Sequence, residues 1–229
     1  MGILIAIDGV DSSGKQTQTE LLYDRLKNDG KKVRMISFPA YDKNSSVLVK
    51  EYLSGDYGKN PEDVNAYAAS VLFAADRFST FRKDWKRDYD DGVIIIADRY
   101  VSSNMIHQAG KFSSQSEKDE FLNWLEDLEF NKFELPVPDV TFFLDMPTEY
   151  GVKLMENRNN KITGEEEKDI HESDKNHLES SYKNAFYVAD KFGWEKISCV
   201  KNSEIKTIDA INDEIYKIII EKITTENRF

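Results

Sequence analysis

The sequence predicts a three-layer α/β fold, in which a five-stranded parallel sheet is flanked by helices on both faces. Three observations lead there. Short apolar runs, most of them apolar on both faces, recur along the chain, longer stretches of helical periodicity separate them, and no internal repeat or proline- and serine-rich linker divides it. Strands apolar on both faces belong in a covered parallel sheet, and alternating strand and helix patterns close by right-handed crossovers. One domain spanning 1–229 is expected.

The first strand is ILIAI (3–7), followed by a helix over Gln16–Asn28 with Gly30 as its stop. KVRMISF (32–38) is the second strand, and Ser45–Leu53 a helix ending before Gly55. Pro61 with Glu62 and Asp63 makes a good helix opening, so one long helix is expected over Pro61–Trp85. VIIIA (93–97), VTFFL (140–144) and KISCV (196–200) complete the strands. Further helical patterns cover Ser116–Phe130, Thr148–Asn157, Asp169–Phe192 and Ile208–Ile223. The polar segment ENRNNKITGEEEKD (156–169), interrupted by Gly164, reads either as a solvated loop or as a mobile lid, and composition favours the loop.

A hydrophobic fraction of 40% over 229 residues is enough for a sizeable core. The net charge of −11 argues against nucleic acid or an anionic membrane as partner, while leaving room for a small anion held by a few local cations. Cys199 is the single cysteine and sits in an apolar run, where an inert buried thiol is expected rather than a nucleophile. The chain starts directly on a strand pattern and no apolar run nears 18 residues, so a cytoplasmic enzyme is the expectation.

Chemistry is concentrated at two strand ends. Gly9-Val10-Asp11-Ser12-Ser13-Gly14-Lys15 has the G-x-x-x-x-G-K spacing of a phosphate-binding P-loop, between a strand and a helix. Glycines let backbone N–H groups converge on phosphate oxygens, the helix N-terminus adds favourable potential, and Lys15 bridges the outer phosphates. Gln16 stands where a magnesium-binding hydroxyl is usual. The metal then needs nucleotide phosphates, water and a carboxylate, for which Asp11 and Asp98 are the candidates. Asp98-Arg99-Tyr100 follows the third strand, so the triplet faces the same crevice as the P-loop. Arg99 would be a bidentate phosphate donor there, the alternative being a surface Asp–Arg pair. Arg77 lies in SVLFAADRFSTF with Phe73, Asp76 and Phe81 at helical spacing, which by itself reads as core packing.

With these motifs placed in order, the chain resembles the thymidylate kinase family. The matching pieces are IDGVDSSGKQTQ, SFPAY, VLFAADR, DRYVSSNMIHQAG, PDVTFFLDMP and DIHESD, which together cover essentially the whole chain. The resemblance implies a P-loop NTPase fold with a lid at about 156–169, and transfer of the ATP γ-phosphate to dTMP with Mg²⁺. It implies that Gly9 to Thr17 hold ATP, with Val10, Ser12, Ser13, Gly14, Lys15 and Gln16 among them. It implies that Asp11, Lys15 and Arg99 act at the transferring phosphate, with Asp98 near the metal. Phe38 and Pro39 would border the acceptor, Phe73 would stack on thymine, and Arg77 would reach the base. Ser103, Asn104, His107 and Gln108 would complete that pocket, and a homodimer is expected.

The chain departs from the family pattern at four places: Gln16 in the loop, Ala40 where an arginine is common, His107 where bacterial relatives often have tyrosine, and the catalytic arginine. Ser12 occupies the loop position for that arginine, so Arg158 at the lid entrance, or else Lys161 or Lys168, would have to supply the charge. Modest turnover is the expectation. Another nucleoside monophosphate kinase, a deoxynucleoside kinase, a P-loop switch without an acceptor, and a catalytically dead relative are the rival readings.

Overall fold

Side chains of a strand point alternately to its two faces, and in the first strand both faces are buried. Ile5 and Ile7 join one apolar cluster with Leu22 and Leu26, while Leu4 and Ala6 join a second with Phe81 and Trp85. That is why the run reads as continuously apolar. The computed structural model describes residues 1–155 and 175–225.

The five strands β1 (Leu4–Asp8), β2 (Val33–Ser37), β3 (Ile94–Asp98), β4 (Val140–Asp145) and β5 (Glu195–Ser198) form one sheet in the order β2-β3-β1-β4-β5. Every neighbouring pair is parallel. β1 and β3 are buried along their whole length and β4 up to Leu144, so burial on both faces holds for most of the strands as expected; β2 and β5 are sheet edges with residues open to solvent. The KISCV strand is correspondingly split, with Val200 leaving the sheet for a small antiparallel hairpin of β6 (Val200–Lys201) and β7 (Glu204–Ile205).

Among the described residues the α-helices are α1 (Lys15–Asn28), α2 (Val47–Leu53), α3 (Ala66–Thr80), α4 (Lys86–Asp90), α5 (Val101–His107), α6 (Gln115–Glu126), α7 (Thr148–Met155), α8 (Lys175–Phe192) and α9 (Ile208–Thr225). The single helix expected over Pro61–Trp85 is divided. Pro61–Asp63 closes a short 3-10 turn capped by Asn60, Val64 is extended, and the helix restarts where the Asn65 side chain accepts from the Ala68 amide at 2.9 Å. A π-turn over Phe81–Trp85 then carries it into α4. Helix α5 was not legible beforehand. It has barely two turns, too few for a periodic signature, and is held by burial and by Asn184 Nδ2 donating to the carbonyls of Met105 and Ile106 at 2.9 and 2.8 Å. The segment 156–169, expected as a loop or a lid, and the parts of the expected helices that run to Asn157 and from Asp169 to Asp174 lie outside the described residues.

The register sets the site. Ile7 of β1 pairs with Asp98 of β3, and the Arg99 amide donates to the Ile7 carbonyl at 3.1 Å. The chain leaves β1 towards β2 on one side, while it leaves β3 across β1 to reach β4 on the other. Crevices open at such a reversal of direction, at the carboxyl ends of the strands.

Candidate active site

The loop after β1 bends tightly enough to need its glycines. A side chain on Gly9 would stand 2.9 Å from the Leu144 carbonyl oxygen, and Gly14, which caps α1, has φ +87°. Ser12 takes a left-handed conformation without being glycine (φ +59°), strain of the kind found where a loop is shaped for a ligand. Lys15 is buried and folds back into the loop, donating from Nζ to the carbonyls of Gly9 and Val10 at 3.0 and 2.7 Å. Burial, and then the Arg99 charge, lower its pKa to about 7, against the pull of Asp11, Asp8 and Asp98. Gln16 turns outward: its amide donates to Glu20 one turn along α1 at 2.9 Å. A cleft of about 450 Å³ runs along this loop past Ser12, Gly14, Lys15, Gln16 and Thr17 to Asp98 and Arg99.

Asp98 ends β3 and is buried. Its Oδ2 receives only a long bond from Ser37 Oγ at 3.5 Å, and its Oδ1 has no hydrogen-bond partner among the described residues. Arg99 follows with φ +68°, again a left-handed non-glycine. Its Nη2 donates to Asp11 Oδ1 and its Nη1 reaches Ser103 Oγ and His107 Nε2 at 3.5 and 3.4 Å. Burial opposes the Arg99 charge, but the carboxylates of Asp11, Asp8 and Asp98 outweigh it and raise its pKa. The expected alternative of a simple Asp98–Arg99 surface pair is not what forms: the partner of Arg99 comes from the P-loop.

A second cleft, of about 530 Å³, opens on the other side of Arg99. Asp11, Arg99, Phe38 and Pro39 line it. Phe73, Arg77, Ser103, Asn104, His107 and Gln108 also line it, so all the acceptor residues expected from sequence meet in one cavity. Asn104 Nδ2 and Gln108 Oε1 are buried with no partner among the described residues, leaving an amide NH2 and an amide oxygen for a ligand. Arg99 lines both clefts. Arg158, Lys161 and Lys168 lie outside the described residues.

The roles of several further residues escaped the sequence reading. Asp8, fully buried, accepts from the Gly9 and Tyr100 amides (2.9 and 3.4 Å) and from the hydroxyls of Ser102 and Ser103 (2.7 and 2.9 Å), tying the P-loop to the start of α5. Asp76 fixes the Phe-Pro loop, taking the Ala40 amide at 2.8 Å and Ser45 Oγ at 2.5 Å. Glu129 holds Arg77 in a bidentate pair. Tyr41, Leu53 and Tyr100 add apolar wall to the second cleft. A carboxylate at the inner end of an apolar strand, or on the apolar stripe of a helix, was the available signal for Asp8 and Glu129. Cys199 is buried as expected, its thiol pushed up to about 12 by burial first.

The sequence matches the family model of thymidylate kinase over residues 7–202. It is similar to the thymidylate kinase of Mycobacterium tuberculosis, with 33% identity over 64% of this chain and 67% of that protein. The thymidylate kinase of Sulfurihydrogenibium sp. is 28% identical over 97% of each chain. Among solved structures, a thymidylate kinase from Candida albicans superposes with a TM-score of 0.68 at 24% identity, covering 99% of this chain and 93% of that one, a likeness of fold.

Proposed function

The chain belongs to the thymidylate kinase family, and we propose that its two clefts hold the two substrates of that family's reaction. The reaction is ATP-dependent phosphorylation of dTMP to dTDP. The donor triphosphate lies along the P-loop cleft and dTMP fills the second, with phosphate towards Arg99 and base towards Arg77. The observation that carries this reading is that Arg99 lines both clefts, so one fixed cation serves the two phosphates that must meet end to end.

A phosphate monoester is largely ionised near neutral pH, with a second pKa of about 6, so its oxygen attacks the γ-phosphorus without a strong base. The bond to the ADP oxygen breaks as the new one forms, with no covalent enzyme intermediate. Catalysis is then alignment and charge neutralisation. Lys15 leaves the loop carbonyls for the outer phosphates, loop amides hold the donor, and Asp11 keeps Arg99 aimed at the junction. Asp98 fits a magnesium site, because it lines the donor cleft and its buried Oδ1 has no hydrogen-bond partner among the described residues, whereas Asp11 is engaged by Arg99. No group of three or more His, Cys, Asp or Glu side chains suited to a metal occurs among the described residues, so Mg²⁺ would also depend on phosphates and water. When bound, it neutralises charge on the transferring phosphate.

A homodimer and a cytoplasmic location belong to the same reading. Exposed Val47, Leu48, Val71 and Phe78 on α2 and α3 support the first. No helix among the described residues is long and apolar enough to cross a membrane. A coupled assay of ADP release with dTMP, dUMP, CMP and thymidine tests the assignment. Fastest turnover with dTMP is expected; a preference for thymidine, or hydrolysis indifferent to acceptor, contradicts it.

A further inference from the structure

Behind the wall of the acceptor cleft lies a buried carboxylate that the reaction does not use. Glu129 is 0% exposed and Arg77, which does line the cleft, is 1% exposed. Arg77 Nε donates to Glu129 Oε2 at 2.7 Å, and Nη2 donates to Oε1. The pair is therefore side-on and bidentate, and the guanidinium cannot rotate without breaking both bonds. Nη1 also donates a long bond to the Tyr100 carbonyl at 3.5 Å, so the N–H groups left over are one on Nη1 and one on Nη2. What Arg77 offers the cleft is donor-only and fixed in plane.

Local geometry delivers Glu129 to this place. It lies four residues beyond Leu125 on the buried stripe of α6, inside the π-turn Asp127–Lys132 that ends the helix. Wide turns of this kind re-aim side chains and recur at functional sites. Burial raises the carboxyl pKa, and the Arg77 charge pulls it back.

We propose that Glu129 is a positioning residue for acceptor-base specificity: by holding Arg77 in plane it presents N–H donors to a pyrimidine carrying a carbonyl oxygen at its 4-position and disfavours one carrying an amino group there. The inference rests on the reading that dTMP occupies this cleft with its base towards Arg77. An amino group facing an immobile donor edge leaves donor against donor, whereas a carbonyl accepts. A guanidinium free to swing could turn away from the amino group, and discrimination would fall.

The test compares dTMP and dCMP as acceptors for wild type, Glu129→Gln, Glu129→Asp, Arg77→Met and the double variant Glu129→Gln/Arg77→Met. The aspartate variant keeps the buried negative charge but, one methylene shorter, gives up the two-bond hold on Arg77, and it serves if the glutamine variant fails to fold. Each Glu129 variant is expected to raise the KM for dTMP by about fivefold or more, hold kcat within about threefold, and cut the dTMP-to-dCMP ratio of kcat/KM about tenfold. Arg77→Met is expected to lose the ratio as well, and Glu129→Gln to add no further loss in that background. Glu129 variants that lower Tm yet keep the wild-type KM and ratio, while Arg77→Met loses the ratio, would overturn this inference alone. An unchanged ratio in Arg77→Met would instead remove the base-towards-Arg77 reading, and the inference with it.

Discussion

Arg99 and Asp11 close on each other across the ends of β3 and β1, the guanidinium Nη2 donating to the carboxylate Oδ1. Asp11 is 8% and Arg99 22% exposed, so the contact is sheltered while the arginine still reaches both clefts. A partly buried pair of this kind orients as much as it stabilises, because its charges have given up water. Asp11→Asn keeps the shape but weakens the hold. The KM for dTMP is expected to rise by about tenfold and kcat to fall, in steady-state assays at saturating ATP.

Lys15→Ala and Arg99→Ala remove the two cations nearest the proposed transfer. Each is expected to fold normally and to lose on the order of 3–5 kcal/mol of transition-state stabilisation. Circular dichroism checks the fold and kcat/KM the loss. Near-wild-type rates from both would contradict their roles.

Lys15 has a pKa of about 7 while tucked among loop carbonyls, its charge disfavoured first by burial and then by Arg99. A triphosphate beside it favours the ammonium and raises that pKa. Between pH 7 and 10 ATP binding is therefore expected to take up protons, read by calorimetry at pH 8 in buffers of different ionisation enthalpy, and Lys15→Met should abolish the uptake. The stability effect has the matching sign. The folded pKa lies below the unfolded one, so the unfolded chain binds more protons between pH 7 and 10.5, and stability rises with pH across that window.

Asp98→Asn removes the carboxylate proposed to hold magnesium. The Mg²⁺ concentration for half-maximal rate is expected to rise by about tenfold, with the KM for dTMP changing little. An unaltered magnesium titration would assign the metal elsewhere.

Gln16 is bonded to Glu20 on the outer surface of α1, leaving only its backbone amide to the loop. Gln16→Ala keeps that amide, so turnover is expected to stay within about threefold of wild type. A loss of about a hundredfold would mean that the side chain, not the amide, touches the nucleotide.

The core of the fold was legible because its signals are short-range. Five apolar runs, the Gly9–Lys15 spacing and the Asp98–Tyr100 triplet are each fixed by a few adjacent residues whose alternation or turn chemistry has few alternatives. The family resemblance then reversed the core-packing reading of Phe73 and Arg77, and both line the second cleft. Element ends were less certain, as Pro61–Trp85 shows: Asn60 and Asn65 are both competent caps, and only packing selects where the long helix begins.

Local sequence alone determined the parallel α/β fold and the phosphate loop, since periodicity and glycine placement act within a turn or a strand. Tertiary structure alone decided which charges meet. Asp8 joins Ser102 and Ser103 across more than ninety residues, Arg77 joins Glu129 across fifty-two, and Arg99 joins Asp11 across eighty-eight. Such partners depend on which crossover brings which strand end or helix face alongside. Once those groups are buried away from water, their desolvation makes the pairing obligatory, but nothing in the neighbouring residues names the partner.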